Sequence, residues 1–109
     1  MTDQEKLLAI AQALITRTKA ALQAWKETAI ETRFHTSLED TTISIQALPG
    51  NVDKYVISVI NKNGRAVEEL RAREDQQEGK PLMELYQLAR RQALRVDETL
   101  DSLLRRLSR

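Results

Sequence analysis

The chain has one histidine, His35, and it is the only side chain whose ordinary pKa lies near neutral pH. Ser37 and Glu39 follow at two-residue spacing, so an extended segment places all three on one face. A Ser-His-acid triad needs groups converging from separate elements, with a buried acid to orient the imidazole. Three neighbours along one strand do not supply that, and His35 reads as a surface residue. The acid pairs Glu39-Asp40, Glu68-Glu69, Glu74-Asp75 and Asp97-Glu98 are adjacent in sequence. On a strand, adjacent side chains point to opposite faces and make poor acid–base dyads. Glu74, Asp75 and Glu78 lack the glycine-bearing ligand ladder of a calcium loop. Cysteine is absent, which excludes disulfides, zinc–thiolate sites and thiol nucleophiles. Gly64 and Gly79 stand alone, so there is no phosphate-cradling glycine loop. The sequence therefore points to no catalytic residue, no cofactor, no metal and no small-molecule substrate.

Two other groups of residues could bind rather than react. The net charge is +1, but residues 90–109 hold six arginines against three acids. On one continuous helix, Arg91, Arg95, Arg105 and Arg109 would lie along one side and could meet phosphates. Asp97, Glu98 and Asp101 dilute that stripe, and the chain has only four aromatic residues to offer for base stacking. Trp25 is the second candidate. It reads as core packing at a helix–strand corner, with a binding anchor as the sharper alternative, because tryptophan is enriched in interface hot spots.

The elements that must position these residues follow from periodicity. Leu7, Ala11, Leu14, Thr18, Ala21 and Trp25 repeat at 4-3-4-3-4, with Leu8, Ile15 and Leu22 beside them. This spacing predicts a helix to about Lys26, capped by Thr2 or Asp3. Ile30, Thr32, Phe34, Thr36 and Leu38 alternate at period two and predict a strand, with His35 on its polar side. Thr42–Leu48 and Tyr55–Ile60 predict two more, the latter central. Asn63-Gly64 marks a turn into a fourth strand over residues 65–71, anchored by Val67, and helix is the competing reading there. Residues 72–81 read as a loop, and Pro81 suits the first turn of a helix. Leu82, Tyr86, Ala89, Ala93, Val96, Leu100, Leu103 and Leu107 then hold one phase to the end. They form one helix, or two that meet at Arg95-Val96-Asp97 with Asp97 as the cap.

The fold class is thus α+β, a single domain over residues 1–109: an N-terminal helix, a three- or four-stranded antiparallel meander, and a C-terminal helix or helix pair packed on one sheet face. The other face would carry Arg33, His35, Ser44 and Gln46. Helices of about 24 residues would be ~36 Å long and overhang so small a sheet. Leu100, Leu103, Leu104 and Leu107 are the expected surface for self-association or a partner.

Phe34-His35-Thr36-Ser37-Leu38, Tyr55-Val56-Ile57-Ser58-Val59, Asn63-Gly64, Leu88-Ala89-Arg90-Arg91 and Val96-Asp97-Glu98 together carry a pattern. Over residues 14–108 it resembles a family of small uncharacterised bacterial proteins. The resemblance includes no catalytic motif and implies no activity. It implies a fourth strand after Asn63-Gly64. It also implies a helix–turn–helix break, because those relatives often carry Gly before the Val-Asp pair, where this chain has Arg95.

The acidic opening, Met-Thr-Asp-Gln-Glu, and the lack of any long apolar run lead us to expect a cytoplasmic protein without membrane contact. The function expected is a non-enzymatic interaction or regulatory module, of the accessory, immunity or antitoxin type that works with a larger bacterial effector. Its partner would be a protein or a second copy. The alternative is a nucleic-acid-binding regulator using Arg91, Arg95, Arg105 and Arg109.

Overall fold

A computed structural model describes residues 2–109. The elements in chain order are α1 (Asp3–Lys19), β1 (Lys26–Glu27), β2 (Arg33–Leu38), β3 (Thr41–Leu48), β4 (Lys54–Ile60), β5 (Ala66–Arg73), α2 (Gly79–Ala93) and α3 (Val96–Leu107). The strands form one antiparallel sheet in the order β1-β2-β3-β4-β5. The architecture is α+β, with one more strand than the pattern predicts. β1 is two residues long, too short to carry a period. None of the described helices is long and apolar enough to cross a membrane.

α1 starts where Thr2 Oγ1 accepts the Glu5 N–H at 3.2 Å. Asp3 and Glu5 lie in its first turn and Arg17 and Lys19 in its last, which suits the helix dipole. It stops about seven residues before the predicted end. Ala21 turns left-handed (φ 59), while Leu22 N–H donates to Arg17 O at 2.8 Å and Ala21 N–H to Thr18 O at 3.1 Å. These paired bonds satisfy the last carbonyls as a Schellman motif does, here without glycine. Ala21 and Trp25 therefore leave the helical stripe, and Leu22 is exposed.

β2 begins at Arg33, later than the alternation suggests. Thr28 Oγ1 accepts the Ile30 N–H at 3.1 Å and Arg33 N–H donates to Ile30 O at 3.1 Å, so Ile30 sits in a turn. β5 is a strand, and its inner residues are Leu70 and Ala72, paired with Ile57 and Tyr55. Val67 is not the anchor. A register shift at Val59/Ile60 displaces it, and it is 55% exposed. β5 also runs to Arg73, so only residues 74–78 link it to α2. Pro81 lies in the first turn of α2, as predicted.

One core joins the layers. Phe34, Ile43, Ile45, Tyr55, Ile57 and Leu70 face Leu7, Leu14 and Ile15 of α1 and Leu82, Leu85 and Ala89 of α2. Tyr86 packs its ring 5.8 Å from Phe34 and 5.6 Å from Tyr55, both tilted. The C-terminal periodicity resolves into two helices. Arg95 takes φ 52 and ψ 48, the left-handed conformation a glycine would favour. Asp97 does not cap α3; the cap position is Arg95, with no side-chain hydrogen bond.

Candidate functional site

α3 buries none of its residues. Leu100 is 50% exposed, Leu103 45%, Leu104 62% and Leu107 80%. On a helix these positions fall within one apolar stripe, together with half-buried Val96. Isolated exposed leucines are ordinary, but four on one 12-residue helix are not. The break at Arg95 explains them. α2 buries Leu82, Leu85 and Ala89 in the core, and the left-handed turn at Arg95 sends α3 off that line.

Trp25 has a different place. It is 5% exposed, and its indole N–H donates to Thr18 Oγ1 at 2.9 Å. Its backbone N–H donates to Gln92 Oε1 at 2.7 Å, while Gln92 Nε2 donates to Gln23 O at 2.7 Å. Gln92 thus clamps the chain between α1 and β1 onto α2, with Trp25 as the packed plug. Trp25 is core and is corrected out of the expected interaction surface. The clamp itself was not foreseen, since a half-exposed glutamine on a helix gives no signal of its partner 67 residues away.

The arginines are divided by the break. Arg91 pairs with Asp97 across it, and Arg95 lies 3.9 Å from Glu98. Arg105 and Arg109 belong to α3 and its end, so the four do not share one continuous helix side. Among the described residues, Arg105, Arg106 and Arg109 form no ion pair.

His35 is half-buried, not a free surface residue. Its Nε2 is enclosed and has no hydrogen-bond partner among the described residues. Burial lowers its pKa below the usual histidine value, and the Arg33 guanidinium lowers it further. Its cross-strand neighbours are Lys26 and Ser44. Ser44 Oγ accepts from Arg33 Nε at 2.8 Å, and among the described residues no carboxylate is hydrogen-bonded to the imidazole. These contacts do not assemble a nucleophile–base–acid relay. Among the described residues, no three His, Asp or Glu side chains cluster closely enough to hold a metal ion.

His35 belongs to the sheet face that the helices leave open. Cross-strand partners share a face. Registration therefore lines up Lys26, His35, Ser44, Ser58 and Glu69 in one row, and Arg33, Gln46, Val56 and Arg71 in the next. Ser44 and Ser58 are buried there, with Arg33 donating to Ser44 Oγ and Ser58 Oγ reaching Glu69 Oε2. No protein-family model, curated protein or solved structure matches this chain.

Proposed function

We propose that this chain is a non-enzymatic interaction module, an α+β body that presents α3 to a protein partner. The observation that carries this reading is a strongly amphipathic helix whose four leucines all stay between 45% and 80% exposed. Burying a leucine fully is worth about 1.5–3 kcal/mol, so the uncovered stripe is a standing source of binding energy.

The test compares the full chain with Leu103→Gln/Leu104→Gln/Leu107→Gln. Glutamine keeps helix propensity and removes the apolar stripe. The variant is expected to melt within about 6 °C of the parent, because each surface substitution changes stability by about 0.5 kcal/mol or less and 1 kcal/mol moves Tm by about 4 °C in a domain of this size. It is also expected to lose the partner that the parent retains in affinity capture with mass spectrometry, or the dimer that the parent forms in sedimentation. A fall of 10 °C would mean that the stripe serves this chain's own fold. Unchanged capture and unchanged mass would remove the reading.

A further inference from the structure

The chain carries five Lys or Arg residues within its strands: Lys26, Arg33, Lys54, Arg71 and Arg73. By register, all five stand on the open face. Lys26 is paired with His35, Arg33 with Gln46, Lys54 with Arg73 and Val56 with Arg71. The strand acids divide the other way. Glu27 is paired with Phe34 and Glu68 with Val59, on the helix side, and only Glu69 stands on the open face. A chain of net charge +1 therefore has one strongly cationic face, assembled from positions up to 47 residues apart. With strands ~4.8 Å apart, that face spans about 19 Å from β1 to β5.

We propose that this open sheet face binds the phosphate backbone of duplex nucleic acid. Between the cations lies half-buried Gln46, a neutral hydrogen-bonding group suited to phosphate and sugar oxygens, while Ser44 and Ser58 are buried beneath. Arg71 is paired with Glu69 at 3.1 Å and Arg73 with Asp75 at 2.6 Å, but these pairs are about half exposed. Exposed pairs contribute little, so both guanidiniums can exchange to phosphate. A single-strand platform would stack bases on aromatic rings. Here Trp25, Phe34 and Tyr55 are buried in the core, and Tyr86 packs against Phe34 and Tyr55. The face is left with charge and no stacking ring, which selects the duplex and contacts that do not depend on sequence. It also lacks the aromatic anchor of a protein hot spot, which disfavours an acidic protein as occupant.

The experiment is fluorescence anisotropy of a labelled 20-base-pair DNA duplex titrated with the full chain at 50 and 200 mM salt. With about four phosphates engaged, affinity is expected to fall on the order of 100-fold between the two salts. Lys54→Ala/Arg71→Ala/Arg73→Ala is expected to reduce the salt slope by about 2–3. If that variant does not fold by circular dichroism, Lys26→Gln/Lys54→Gln is expected to reduce the slope by about 2. Arg105→Ala/Arg106→Ala/Arg109→Ala is expected to leave binding unchanged. No binding at 50 mM salt overturns the proposal. So does loss on removing the α3 arginines with the strand cations intact. Binding of a polyglutamate chain in place of the duplex would also overturn it and assign the face to an acidic protein segment.

Discussion

Gly79 shows how tightly a single position can be determined. A Cβ built on it would lie 1.8 Å from Arg73 O and 2.6 Å from Arg73 C, both backbone atoms. The first residue of α2 thus rests against the last residue of β5, and no side-chain movement can make room. Gly79→Ala is expected to cost about 3 kcal/mol or more and to lower Tm by 10 °C or more, read by thermal melting. His35 is the second residue with a defined consequence. Its folded pKa is lowered, so the unfolded chain binds its proton more readily than the folded one does. Its contribution is complete above the ordinary value of about 6.5 and is lost as the pH falls from there towards the lowered folded value. Denaturant titrations between pH 7.5 and 5.5 are expected to show falling stability for the parent and a flatter profile for His35→Gln. Neither residue announced this role. Gly79 read as loop punctuation and His35 as solvated, because both readings depend on what a distant strand brings alongside.

At the scale of elements, the long periodic stretches were legible and their ends were not. The stripes of α1 and α2, the strands β2, β3 and β4, the strand reading preferred for β5, the Asn63-Gly64 turn and Pro81 follow from period and turn chemistry. The stops at Ala21 and Arg95 do not, since each is a left-handed residue without glycine. Asp97, read as a cap, marked the place of the second stop, but the turn itself falls on Arg95 and Asp97 does not cap α3. α3 is the element with the least support. Helices of about 12 residues are marginal when isolated, and α3 has 12 residues and no buried face. Its amides are expected to exchange with deuterium at least 100-fold faster than those of α2, whose Leu82, Leu85 and Ala89 are fully enclosed. Equal protection in the two helices would mean that something already covers α3.

For the whole molecule, the distribution of charge and surface matters more than the totals. A compact chain of this length has a radius of gyration of about 13 Å, and this one has 15.0 Å with extents of 55 × 35 × 26 Å. The sequence suggested surplus helix surface, and α3 carries it. Alternation placed Arg33, His35, Ser44 and Gln46 on the open face, but its cationic character was not legible, because positions such as Lys54 and Arg73 meet only through antiparallel register. Counted along the chain, charge is densest at the C-terminal arginines, but the break at Arg95 separates Arg91 on α2 from Arg105 on α3 and Arg109 beyond it. The two exposed features are also independent. One is apolar and lies on α3, and the other is basic and lies on the sheet, so each can be removed by substitution without touching the other.

The chain has one tryptophan, and the fold encloses it between the end of α1 and the Gln92 clamp on α2. Its emission is therefore an intrinsic, single-site optical probe of the body, seated on neither α3 nor the open sheet face. A ligand on either surface that leaves the emission maximum unshifted has docked onto a rigid scaffold. One that moves it to longer wavelength has opened the corner where α1, β1 and α2 meet.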